Sequence, residues 1–223
     1  MLTGLSAFPL TPIYDDRVDE ESFSQLIENL ATAKVDSIGV LGSTGNYMYL
    51  SRAERMRVAQ VAVGHAGEVP VIVCIGSLRT RDVLDLADDA QKSGARALLL
   101  PPVSYQKLTE NEVLELYATV SRNISVPLCV YDNPGTTHFD FNDRLYAEIA
   151  AMPNVASIKI PGINYKDADE TKRLERLRGI LPLHVNLGIS GDAFAATSLN
   201  AGCDTWYSVF AGIFPRTALA IIH

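Results

Sequence analysis

Eight short apolar runs punctuate the chain, and between them the apolar positions change to helical spacing. The runs are Leu5–Leu10, Ser37–Leu41, Val69–Ile75, Ala97–Leu100, Val126–Val130, Ala156–Ile160, His184–Leu187 and Thr205–Phe210. They lack the strict alternation of a half-exposed sheet, as expected for strands covered on both faces of a parallel sheet. The segments between them carry helix signals. Asp19 precedes Phe23, Leu26, Ile27 and Leu30, while Ser51-Arg52-Ala53-Glu54 and Thr109-Glu110-Asn111-Glu112 fit capping boxes. Thr80 can cap a helix that ends at Gly94, and Gly202 closes another. Strands alternating with helices in this way predict an α/β chain folded as a (β/α)8 barrel. A doubly wound open sheet is the other arrangement, but no Gly-x-Gly-x-x-Gly turn follows a predicted strand. No linker or low-complexity segment divides residues 1–223, which read as a single barrel domain.

Composition narrows the function classes. A chain of 223 residues with 48% hydrophobic content can bury one large core. Its formal charge of −7 gives no attraction for nucleic acid or an anionic membrane, so neither is expected as a partner. Met1–Leu10 has no basic segment of the kind that opens a secretory signal, and Pro215 and Arg216 break the most apolar late stretch, Trp206–Ile222. Cys74, Cys129 and Cys203 form no Cys-x-x-Cys pair, the usage of a reducing cytoplasm. His65, His138, His184 and His223 show no metal-ligand spacing, so no metal is expected.

In such a barrel, chemistry belongs at the carboxyl ends of the strands. Of the six lysines, Lys34, Lys92, Lys107, Lys166 and Lys172 fall on predicted helices or loops, and only Lys159 lies in a strand. Burial favours the neutral amine of a lysine, the form that attacks a ketone to make a Schiff base. Snorkelling or ion pairing at the barrel rim is the structural alternative. Gly42-Ser43-Thr44-Gly45 ends the second predicted strand, a tight turn whose N–H groups and hydroxyls can hold a carboxylate. Tyr131-Asp132-Asn133-Pro134-Gly135-Thr136-Thr137 puts a phenol at the barrel mouth, on the strand before that of Lys159.

In this order and spacing, these motifs resemble the family of dihydrodipicolinate synthase and N-acetylneuraminate lyase. Its members are pyruvate-handling class I aldolases on a (β/α)8 barrel. The likeness runs from Gly4-Leu5-Ser6-Ala7-Phe8-Pro9-Leu10-Thr11-Pro12 to Trp206-Tyr207-Ser208-Val209. It implies an imine between Lys159 and the keto carbon of pyruvate or a longer 2-oxo acid, with no other cofactor. Ser43 and Thr44 would receive the carboxylate within the Gly42–Gly45 turn, and Tyr131 would move protons. Tyr105 resembles the tyrosine that reaches into a neighbouring subunit and relays protons through Ser43 and Tyr131. Gly188 and Gly191 would lie near the substrate at the seventh strand end. A homodimer or homotetramer follows from the resemblance alone.

Departures from the family pattern bear on the second substrate. Dihydrodipicolinate synthases carry an arginine two residues after the proline of the tyrosine motif, where this chain has Thr136, which cannot pair bidentately with a carboxylate. Asn46 replaces the acidic residue common after the glycine turn, and Ile160-Pro161-Gly162 follows the lysine instead of polar residues. The expectation is therefore a lyase that cleaves or dehydrates a sugar-derived 2-oxo acid. The synthase itself, a non-catalytic carboxylate-binding barrel, and a phosphate site at Gly188–Asp192 stand as alternatives. The sequence stops at Ala220-Ile221-Ile222-His223, just inside the last helix of the family fold. The expectation is a barrel lacking its closing helix and C-terminal helical extension.

Overall fold

The computed structural model describes residues 2–162 and 168–222, with the backbone alone at 168–171; Lys166 and His223 lie outside the described residues. Eight parallel strands close into a barrel: β1 (Gly4–Ala7), β4 (Ser37–Val40), β5 (Val71–Cys74), β6 (Ala97–Leu100), β7 (Leu128–Tyr131), β8 (Val155–Ile160), β9 (Asn186–Ser190) and β10 (Thr205–Ser208). Each pairs with its neighbours in chain order, and β10 returns to β1. The expected (β/α)8 architecture is therefore the one formed. A small antiparallel pair, β2 (Ile13–Tyr14) and β3 (Arg17–Val18), lies outside the barrel.

Helices cover the barrel because their apolar faces have nowhere else to go. They are α1 (Glu20–Ala33), α2 (Arg52–His65), α3 (Thr80–Lys92), α4 (Glu110–Arg122), α5 (Pro134–Thr137), α6 (Asp143–Ala150), α7 (Ala168–Ile180), α8 (Ala195–Asn200) and α9 (Pro215–Ile222). Asp19 caps α1, and both capping boxes form, Ser51 with Glu54 and Thr109 with Glu112. Thr80 does not cap: it is the first helical residue of α3, and Arg79 occupies the cap position without a side-chain bond. Among the described residues, no helix is long and apolar enough to cross a membrane.

Two expectations need correction. The position of the closing helix is not empty. The two-turn α9 follows β10, buries Pro215 and Ala218, and packs on β1 and α1. The seventh barrel strand is Asn186–Ser190, two to three residues later than the run His184–Leu187. Gly188 reads as a strand-ending residue, yet it sits inside β9 because the neighbouring ring needs its space. A Cβ there would stand 2.3 Å from Cε2 of Tyr207.

Candidate active site

Barrel register sets the geometry of the mouth. Tyr131 on β7 pairs with Lys159 on β8, and Lys159 pairs with Gly188 on β9. The lysine points inward and is only 4% exposed. Its Nζ lies 3.9 Å from the ring centroid of Phe8, 4.3 Å from that of Tyr131 and 5.4 Å from that of Tyr207. Among the described residues, no carboxylate or other acceptor bonds to this nitrogen. The ion-paired rim lysine is therefore not what the fold builds. Three ring faces thus surround the nitrogen at distances typical of cation–ring contacts.

The glycine turn stands beside it. Leu41, at φ 58°, turns the chain out of β4 through the left-handed region, which is costly for a leucine. Gly45 leaves room for the chain to fold back, since a Cβ there would stand 2.9 Å from the Leu41 nitrogen. The Thr11 hydroxyl donates to the Gly45 carbonyl at 2.8 Å and anchors the turn to the loop after β1. This places Ser43 Oγ 3.4 Å from the Tyr131 hydroxyl, which also accepts from Asn133 Nδ2 at 2.9 Å. Lys159, Tyr131 and Ser43 thus converge, with Thr44 half-buried in the same turn. An amine at the floor and a chain of hydroxyls above it can bind a small 2-oxo acid and move protons on it.

The remaining expected residues are spread more widely. Tyr105 is 91% exposed and stands at the outer rim of a cleft of about 610 Å³ that also holds Ser43, Asn46, Thr136 and His138. Among the described residues, no Lys, Arg, Asp or Glu lines that cleft. Asn46 and His138 both have left-handed backbones, at φ 57° and 55°. A Cβ on Gly42 would stand 3.1 Å from the Phe8 ring, and one on Gly191, at φ 93°, would stand 3.2 Å from Phe194. The Asp192 carboxylate accepts from Trp206 Nε1 at 3.1 Å, Ser208 Oγ at 2.8 Å and the Phe210 N–H at 2.9 Å. A phosphate at Gly188–Asp192 would face that carboxylate, which disfavours the phosphate alternative.

Sequence reasoning passed over Phe8, Tyr207, Asn133 and Asp132. Asp132 follows Tyr131 but turns away from the mouth, to 2% exposure between the sheet and its helices. Its N–H donates to the Lys159 carbonyl at 3.0 Å, and its carboxylate accepts from the Tyr146 hydroxyl on α6. Arg173 on α7 lies 3.6 Å away, and Oδ1 has no partner among the described residues. Burial raises this carboxyl from 3.8 to about 6, against the opposing pull of Tyr146 and Arg173. The folded chain therefore binds this proton more tightly than the unfolded chain. The resulting destabilisation grows as pH rises from about 4 to 6 and is fully present above that range. Urea unfolding should show Asp132→Asn gaining stability relative to the parent by roughly 2 kcal/mol between pH 4.5 and pH 7. Equal differences at both pH values would mean that Asp132 ionises normally.

The sequence profile of the dihydrodipicolinate synthetase family matches residues 1–223. The chain is 31% identical over 226 residues to the 4-hydroxy-tetrahydrodipicolinate synthase of Acidiphilium cryptum, covering 97% of this chain and 73% of that protein. Among solved structures, the dihydrodipicolinate synthase of Agrobacterium tumefaciens superimposes with a TM-score of 0.95 at 46% identity, over 99% of this chain and 74% of that one. The chloride-inhibited dihydrodipicolinate synthase of Acinetobacter baumannii, complexed with pyruvate, superimposes with a TM-score of 0.88 at 27% identity, over 100% and 75%. Barrel, strand-end motifs and whole-chain likeness agree: the chain belongs to the dihydrodipicolinate synthetase family.

Proposed function

We propose that the protein is a Schiff-base-forming lyase or aldolase acting on pyruvate or a sugar-derived 2-oxo acid. The observation that carries this is the buried Lys159 Nζ, 4.3 Å from the Tyr131 ring, whose hydroxyl lies 3.4 Å from Ser43 Oγ. Lys159 attacks the keto carbon. Tyr131 passes protons as the imine forms and as the neighbouring bond is made or broken, with Ser43 as its relay partner. Ser43 and Thr44, in the Gly42–Gly45 turn, hold the carboxylate, and the protonated imine is the electron sink. No other cofactor enters, and residues 1–223 act as one domain of a cytoplasmic enzyme. Tyr105, exposed on one chain, completes the relay from the partner subunit of a homodimer or homotetramer, and Gly188 and Gly191 border the substrate.

A cleft whose described lining has no Lys, Arg, Asp or Glu favours a hydroxylated second substrate. Thr136 donates its hydroxyl to the Asn133 carbonyl at 3.3 Å and offers no bidentate partner for the carboxylate of aspartate semialdehyde. Borohydride reduction with pyruvate, followed by peptide mass spectrometry, tests the reading. The expected result is a reduced pyruvyl adduct on Lys159. A folded protein that binds pyruvate without an adduct would instead be a carboxylate-binding barrel. A panel of 2-oxo-3-deoxy sugar acids beside aspartate semialdehyde should show turnover of the sugar acids; synthase-level turnover of aspartate semialdehyde alone overturns that specificity.

A further inference from the structure

We propose that Phe8 is a catalytic residue. Its ring, with those of Tyr131 and Tyr207, forms an aromatic wall that holds the positive charge of the imine on Lys159. The inference rests on the Schiff-base reading above and adds to it a residue that carries no reactive group.

The fold invests several positions in this ring. Phe8 follows β1, and its N–H donates to the Ser208 carbonyl at 2.8 Å, which fixes the backbone against β10. The ring enters the mouth across β4, where a Cβ on Gly39 would stand 2.2 Å from Phe8 Cζ. A Cβ on Gly42 would stand 3.1 Å from Phe8 Cδ1. Tyr207 meets Phe8 edge-on, with centroids 5.8 Å apart and planes at 85°. Tyr207 is held in turn by Ser157 Oγ, 2.8 Å from its hydroxyl, and by the space left at Gly188. Each of these two rings therefore occupies room that a glycine on a barrel strand leaves open. Both face the same nitrogen, at 3.9 and 5.4 Å. The separation between a cation and a ring centroid in an attractive pair is within about 6 Å.

The chemistry explains why rings suit this place. From the ammonium form, loss of one proton frees the lone pair that makes the N–C bond, and the carbonyl π electrons move to oxygen. The C–O bond then breaks and the oxygen leaves as water. In the net reaction that water carries away two of the three ammonium protons, and the single positive charge stays on the C=N unit. The ammonium presents three N–H donors, whereas the protonated imine presents one and spreads its charge over nitrogen and carbon. Among the described residues no acceptor serves Nζ, so the three donors of the ammonium depend on solvent in the mouth, whereas the imine has a single donor to satisfy. Ring faces supply attraction without acceptor geometry. The wall is therefore better matched to the imine than to the free ammonium.

The test is to replace Phe8 by phenylalanines of increasing ring fluorination, which drains the negative ring face while nearly preserving shape. The readout is the pyruvate concentration giving half-maximal borohydride-trapped adduct on Lys159 in the full chain. That concentration should rise stepwise with fluorination, by about tenfold at pentafluorophenylalanine. Phe8→Leu, which keeps an apolar side chain but leaves part of the space over Gly39 and Gly42 unfilled, should show a rise at least as large when assayed well below its own melting midpoint. Half-saturation constant within twofold across the fluorinated series, with the parent still trapped, overturns the role of Phe8 and leaves the Schiff-base reading intact. A parent protein that traps no pyruvate overturns both.

Discussion

Lys159→Ala is expected to lower turnover of a 2-oxo acid substrate by about 10⁴-fold or more, because the covalent route is lost with the amine. Among the described residues, Lys159 is the only buried lysine. Lys159→Arg separates the nucleophile from the charge. A guanidinium keeps a cation against the rings of Phe8 and Tyr131 but does not form an imine with a ketone, so the loss should be as deep as with alanine. Both variants should remain folded. Lys159→Ala breaks no hydrogen bond or ion pair to the described residues, so its cost in stability is confined to lost packing. Steady-state assays with circular dichroism melts on the same preparations check this. Turnover within tenfold of the parent in either variant would show that Lys159 is not the nucleophile.

Tyr131→Phe is the second large effect. The ring stays 4.3 Å from Lys159 Nζ, so packing and the cation-facing contact survive. What goes is one hydroxyl, which meets Ser43 Oγ at 3.4 Å and accepts from Asn133 at 2.9 Å. Proton transfer by a placed side chain contributes about 10²- to 10⁴-fold, so kcat should fall by about 10²- to 10³-fold. The pyruvate adduct on Lys159 should still form, but more slowly. That split distinguishes a proton carrier from a residue that merely shapes the site, whose removal would weaken binding and leave kcat near the parent value. A change confined to KM would remove Tyr131 from the proton pathway.

The family likeness and these two residues were legible early because their signals are local. Strands buried on both faces leave uninterrupted apolar runs, and a lysine inside one of them, Ala156–Ile160, stands out against five others on helices and loops. Capping boxes at Ser51 and Thr109 are legible because side chain and backbone meet within three residues. Thr80 misleads for the complementary reason: a hydroxyl near a helix start does not decide which residue is the cap. Gly188 misleads too, since glycine marks a turn or a close approach with equal force. Only the position of Tyr207 across the sheet shows that here it is a close approach.

The amino-acid sequence by itself determined the alternation of strands and helices, the barrel class, the placing of Ser43 after the second strand and of Tyr131 and Lys159 on the fifth and sixth, and the membership of a family. These rest on periodicity, capping and motif spacing, all of which act over a few residues. Only the tertiary structure decided what surrounds the amine. Phe8 and Lys159 are separated by most of the chain, and they meet because closing β10 onto β1 brings the first and last strand ends to the same mouth as β7 and β8. Nor does a sequence disclose that Asp132 is sealed between sheet and helices, because the shift in its ionisation comes from lost water, and water is excluded only when α6 and α7 pack over the strand.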